Sequence, residues 1–257
     1  MTASTENAPA ASPVSEPRRA GRELLLEGVF RPLANGFVPL FRRLAVPPPA
    51  VVLANALAGF AAAFLLARGE FLAAALVLQL KTLLDNLDGQ LARATGQVTL
   101  TGRYLDTLAD LAVNAALFAA LAEVTDRPLL ALAGFLALTV VLAFDFNATQ
   151  LYRAAHGSEI TDPRPTGGSI ERALAAVYGV VFRPLDRAAR VFASRRFAPG
   201  RTYDDLTITV LANMGLTTQL VVLGVCLVLG APTVYLWFVL ACFVALVPLQ
   251  LRAERRT

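Results

Sequence analysis

Asp85-Asn86-Leu87-Asp88-Gly89-Gln90-Leu91-Ala92-Arg93, then eight residues, then Gly102-Arg103-Tyr104-Leu105-Asp106-Thr107-Leu108-Ala109-Asp110, is the stretch that decides the reading of this chain. Four aspartates fall within these twenty-six residues, in segments that otherwise read as membrane helices. Positions three or four apart share one face of a helix. Asp85 and Asp88 therefore point the same way from the end of one helix, and Asp106 and Asp110 from the start of the next. A tight connection brings the two faces together. A carboxylate at membrane depth costs roughly 2.5–3.5 kcal/mol on insertion scales, so the cluster needs compensation. Hard oxygen ligands suit Mg²⁺, Mn²⁺ or Ca²⁺.

Composition agrees with a membrane setting. The chain has 257 residues, of which 56% are hydrophobic and 16% charged, with a mean hydropathy of +0.58. Soluble domains carry about 25% charged residues. The length suits one compact bundle. Cys226 and Cys242 lie inside apolar runs and read as small buried hydrophobes rather than a disulfide pair. Residues 1–20 are rich in Ala, Pro, Ser and Glu and predict a disordered tail. Arg18-Arg19 is not the start of a cleaved signal, because Glu23 and Glu27 interrupt its apolar region.

Residues 21–44 mix apolar side chains with Arg22, Arg31, Arg42 and Arg43 and predict an amphipathic interfacial helix, broken near Pro32 or Pro39. A helix packed on the cytoplasmic face of the bundle is the competing reading. Residues 45–257 then form the membrane domain. Six apolar stretches, near 50–68, 71–92, 103–123, 128–150, 206–229 and 232–251, are each about long enough to cross the hydrocarbon core. The fold expected is an all-α integral membrane protein with six transmembrane helices. A second interfacial helix is expected from about 169 to 196.

Basic residues choose the orientation. Only Arg68 and Arg127 border the short links, whereas Arg18, Arg19, Arg42, Arg43, Arg153, Arg164, Arg172, Arg183, Arg187, Arg190 and Arg252 lie on the other side. By the positive-inside rule that side is cytoplasmic, together with both termini and the aspartates. The expected location is a bacterial-type inner (plasma) membrane.

The residues around the aspartates suit a phosphate-bearing ligand. Gly89 and Gly102 lack side chains where a nucleotide or diphosphate would approach the backbone. Arg93, one turn beyond Gly89, offers a planar fork to phosphate oxygens. A buried polar network joining helices is the competing account, and aspartates alone are poor glue without ions.

This string resembles the CDP-alcohol phosphotransferase family, whose signature is D-x2-D-G-x2-A-R, eight or nine residues, then G-x3-D-x3-D. All eight fixed positions of that signature are present. The resemblance implies transfer of a substituted phosphoryl group from a CDP-linked donor to an alcohol, with release of CMP. It implies that Asp85, Asp88 and Asp106 ligate a pair of divalent cations, Mg²⁺ or Mn²⁺. Asp110 would share in ligation and act as general base. Gly89, Arg93 and Gly102 would contact the CDP moiety, and the protein would be a homodimer. One departure stands out. Many members open the first helix with Pro-Asn-x-x-Thr, and Pro48-Pro49-Ala50-Val51-Val52 lacks both polar groups, with Asn55 one turn later as the candidate substitute.

Weaker signals surround the motif. Lys81, one turn before Asp85, either neutralises that carboxylate or touches substrate phosphate. Asp145, Asn147, Gln150 and Arg153 make the end of the fourth stretch polar. Arg153 and Arg172 would bind a phosphate on the acceptor, or else are ordinary positive-inside residues. His156, the sole histidine, is read as incidental. The leading function is transfer of a phosphatidyl group from CDP-diacylglycerol to a polar alcohol, and Arg153 with Arg172 tilts the reading to a phosphorylated acceptor such as inositol phosphate or glycerol phosphate. Transfer of a CDP-linked headgroup to a lipid alcohol is the alternative within the family. A divalent-cation transporter and a non-catalytic lipid-binding scaffold are alternatives of other classes. Nothing points to nucleic acid.

Overall fold

The computed structural model describes residues 21–155, 163–196 and 203–250. The expected tail at 1–20, His156 and the basic residues beyond 250 lie outside the described residues. Within them the regular structure is helical, apart from one isolated bridge between Thr99 and Arg164. A π-helical turn, Leu26–Phe30, leads into α1 (Arg31–Arg43). Then follow α2 (Pro48–Ala67), α3 (Phe71–Thr95), α4 (Leu100–Thr125) and α5 (Pro128–Ala155). The chain closes with α6 (Ser169–Arg196), α7 (Asp205–Ala212), α8 (Leu216–Val228) and α9 (Pro232–Gln250).

Four helices among the described residues are long and apolar enough to cross a membrane: Pro48–Ala67, Leu100–Thr125, Pro128–Ala154 and Pro232–Leu249. A fifth span results if α7 and α8, bent by 47° at their junction, act as one. The expected stretch at 71–92 is helical over α3, but Lys81, Asp85, Asp88 and Arg93 take it out of the apolar class. The expected continuous stretch at 206–229 is broken. Gly215 is extended at the head of α8, and the Asn213 side chain donates to the carbonyls of Arg22 and Thr209. Asn213 thereby ties the N-terminal segment to this corner, with the Leu24 amide donating back to its side-chain oxygen.

The core is an aliphatic layer in which Leu66, Leu78, Leu117, Leu121, Leu138, Leu223 and Leu236 are sealed together. Close helix approach needs small residues. A Cβ on Gly59 of α2 would overlap the Val113 side chain of α4, so that crossing depends on the glycine. The break expected near Pro32 or Pro39 is not seen, because the π-helical turn runs straight into α1. Pro32 sits at the start of α1, just after the π-helical turn, and Pro39 lies inside the helix. Ala34 of α1 is buried against a small cluster with Val51, Leu87 and Leu91, while Leu33, Phe37 and Leu40 remain exposed.

The α3–α4 connection positions everything that follows. Gly96 takes the left-handed conformation (φ +67°) that ends α3, and the amides of Gly96 and Gln97 reach back to the carbonyls of Arg93 and Ala92. Three residues later the Thr99 hydroxyl accepts from the Gly102 amide at 3.1 Å and caps α4. So short a connection sets the end of α3 beside the start of α4. Arg164 clamps it from outside. Its amide donates to the Val98 carbonyl and its carbonyl accepts from the Leu100 amide, both at 3.0 Å.

Candidate active site

Asp85, Asp88 and Asp106 each turn a carboxylate oxygen to a common point, and these oxygens lie within 4.8 Å of one another. Asp88 Oδ2 and Asp106 Oδ1 are buried and have no hydrogen-bond partner among the described residues. Buried carboxylate oxygens without donors are costly, and a divalent cation is the partner whose chemistry fits three of them. Asp85 is oriented from α2, where buried Asn55 donates its Nδ2 to Asp85 Oδ1 at 3.0 Å.

Asp110 stands one turn beyond Asp106 and has a different partner. Lys81 Nζ donates to Asp110 Oδ1 at 2.7 Å and lies 3.8 Å from Asp85 Oδ1. Lys81 is fully buried, so of its two sequence readings the structure favours neutralisation of carboxylates. Asp110 is thus brought to the cluster but is not one of the three converging carboxylates.

Two cavities flank the cluster. The first, about 340 Å³, is lined by Asp88, Gly89, Arg93, Gly102, Asp106 and Arg153, with Pro48 and Pro49 from the start of α2. Arg93 folds back over Gly89, where an added Cβ would lie 3.5 Å from its Nη2. The second, about 250 Å³, is lined by Asp106, Asp110, Asn114, Thr139, Asp145, Tyr178 and Asp186. Arg103, Asp106 and Phe146 line both, and the Arg103 guanidinium lies over the Phe146 ring at 5.0 Å.

A family model described as CDP-alcohol phosphatidyltransferase matches residues 45–247. The chain belongs to that family. No curated protein and no solved structure gives a significant match. Family membership makes the protein a metal-dependent transferase of the CDP-alcohol class, and the three converging aspartates of this CDP-alcohol phosphatidyltransferase fit a metal ion.

The structure sorts the remaining sequence candidates. Arg153 joins Gly89, Arg93 and Gly102 at the first cavity. Arg172 is exposed and lines neither cavity. Its neighbour Glu171 is the residue in contact with the motif region. The Glu171 carboxylate accepts from the Thr166 amide and hydroxyl and from the Thr101 hydroxyl, tying the head of α6 to the first turn of α4. Those donors, led by the Thr166 hydroxyl, hold the Glu171 carboxyl below its usual range. Sequence reasoning missed Arg103, Asn114, Tyr178 and Asp186. Arg103 directly follows Gly102 and Asn114 continues the Asp106–Asp110 spacing by one turn, so both carried a signal. Tyr178 and Asp186, on α6, carried none.

Proposed function

We propose that this protein transfers a phosphatidyl group from CDP-diacylglycerol to a polar alcohol and releases CMP. The observation that carries the reading is the meeting of two cavities at Asp106, one beside Arg93 and Gly89, the other beside Asp110. A donor and an acceptor held in these two spaces would face each other across the aspartates.

In this reading Gly89 and Gly102 let the CDP diphosphate approach backbone, and Arg93 and Arg153 pair with its oxygens. Asp85, Asp88 and Asp106 hold the divalent cation, Mg²⁺ or Mn²⁺. When bound, such an ion neutralises the diphosphate and stabilises the departing CMP. Asp110 takes the proton of the acceptor hydroxyl through Oδ2, since Lys81 occupies Oδ1. The hydroxyl oxygen forms the new bond to phosphorus as the bond to CMP breaks. Among the residues lining the acceptor cavity Arg103 is the one cation, with Asp145 and Asp186 on its walls, which favours an alcohol without phosphate. Arg153 then serves the donor, and Arg172 is left as a surface charge.

The membrane reading follows from the same layout. Six crossings result if α3 and the bent α7–α8 pair are counted with the four apolar helices. Leu33, Phe37 and Leu40 of α1, exposed near Arg42 and Arg43, suit an interfacial helix on an anionic leaflet. The excess of arginines on the motif side supports a cytoplasmic site in a bacterial-type inner membrane. A homodimer is what family membership suggests.

The test is direct. Purified protein in nanodiscs is incubated with CDP-diacylglycerol, Mg²⁺ or Mn²⁺ and a panel of alcohols, with CMP measured and the lipid product identified by mass spectrometry. CMP is expected in equal amount to a new phospholipid, abolished by EDTA and restored by the ion. Absence of CMP with every alcohol would sink the proposal, and metal flux through proteoliposomes without CMP would favour a transporter instead.

A further inference from the structure

We infer that Lys81 holds the place of a second cation, so that the aspartate cluster carries one divalent ion rather than the pair implied by the sequence resemblance. This rests on the reading of Asp85, Asp88 and Asp106 as metal ligands. Lys81 has no exposed surface and sits one helical turn before Asp85. A buried ammonium is sustained only by close carboxylates. Its two partners are Asp110, at 2.7 Å, and Asp85, at 3.8 Å. They are the first and last aspartates of the motif, the pair that a second ion would need in order to join the cluster.

Two-ion sites hold their metals about 3.5–4 Å apart, bridged and flanked by shared carboxylates. The oxygens of Asp85, Asp88 and Asp106 already converge within 4.8 Å, enough to serve one ion. A second would have to draw on Asp110, whose Oδ1 the ammonium already holds at 2.7 Å and whose charge it already balances. Like charges crowded into so small a buried volume repel strongly, so ammonium and second ion exclude each other. Lys81 acts through Asp110. It fixes one carboxylate oxygen and leaves the other toward the acceptor cavity that Asp110 lines. It is a positioning residue, and it divides the four aspartates into three ligands and one base.

The experiment counts ions without reference to turnover. Full-length protein in nanodiscs is titrated with Mn²⁺, with and without CDP-diacylglycerol. Bound Mn²⁺ is measured by equilibrium dialysis and its electron paramagnetic resonance spectrum is recorded. The wild type is expected to bind one Mn²⁺ per chain with the signal of an isolated ion. Lys81→Met is expected to bind two, with a spin-coupled signal, whereas Lys81→Arg stays at one. Two ions in the wild type, two in Lys81→Arg, or one in a monodisperse Lys81→Met would each overturn the inference while leaving the metal-site reading intact. Should Lys81→Met fail to fold, the wild-type and Lys81→Arg counts decide. A wild type that binds no Mn²⁺ under either condition would overturn the metal-site reading and this inference with it.

Discussion

The two cavities on either side of Asp106 are built by different means. The cavity proposed for the donor draws Asp88, Gly89, Arg93, Gly102 and Asp106 from one run of sequence, folded at Gly96 and Thr99. The cavity proposed for the acceptor takes Asp110 and Asn114 from α4, Thr139 and Asp145 from α5, and Tyr178 and Asp186 from α6. The first depends chiefly on local helix geometry and one tight connection, with α2 and α5 adding Pro48, Pro49 and Arg153 to its walls. The second depends on α4, α5 and α6 packing together, with Leu216 of α8 also lining it. Changes on the donor side should therefore strike chemistry or metal binding, and changes on the acceptor side should strike one substrate.

Asp110→Asn probes the boundary between them and carries the largest expected effect. It should lower kcat by roughly 10²–10⁴-fold, the usual worth of a general base, while Mn²⁺ and CDP-diacylglycerol binding persist. Normal turnover would remove Asp110 from the mechanism. Asn55→Ala tests whether the donor side is held from α2. Loss of an outer partner to a metal ligand typically costs 10–100-fold in affinity, so metal affinity should fall by about that factor in a Mn²⁺ titration. An unchanged affinity would mean that Asp85 needs no such support.

Asn114→Leu addresses the acceptor side alone. Asn114 is buried and lines that cavity, where its amide can meet a ligand hydroxyl. The acceptor KM should rise roughly tenfold, the worth of one hydrogen bond, with the KM for CDP-diacylglycerol unchanged. A shift in both constants would show that the cavities are not separate subsites. Glu171→Gln should do least. It weakens the tie between α6 and α4 at a partly exposed position, and a small fall in melting temperature is expected at neutral pH. The carboxyl of Glu171 titrates below its unfolded value, so its contribution is present above the unfolded pKa and lost as pH falls through the folded one. A difference between wild type and Glu171→Gln that survives in acid would refute that assignment.

Much of the donor side is legible in the residue order. The spacing of Asp85 and Asp88, and of Asp106 and Asp110, fixes which carboxylates share a helix face, because 3.6 residues per turn leaves no choice. The signature added the family, and the family model then matched residues 45–247. Asn55 was visible only as a candidate. Its bond to Asp85 needs α2 to lie against α3, which Gly59 and Val113 help arrange by bringing α2 against α4. Of the two arginines read as an acceptor-phosphate pair, Arg153 lines the first cavity and Arg172 lines neither of the two cavities beside the aspartates. A helical span at 206–229 was a fair reading of hydropathy, and it missed the bend at Gly215 because hydropathy does not register a side chain such as Asn213 bonding to a distant backbone.

By itself the sequence determined the helical class, the membrane setting and the pairing of Asp85 with Asp88, and of Asp106 with Asp110, on shared helix faces. These follow from composition and from periodicity within a single helix. Only tertiary structure decided that Lys81 reaches Asp110, that Asp85, Asp88 and Asp106 converge without it, and that α6 supplies a wall of the second cavity. Each of those is a contact between different helices. Such contacts are set by how close the helices pack, and one chain's residue order does not state that distance.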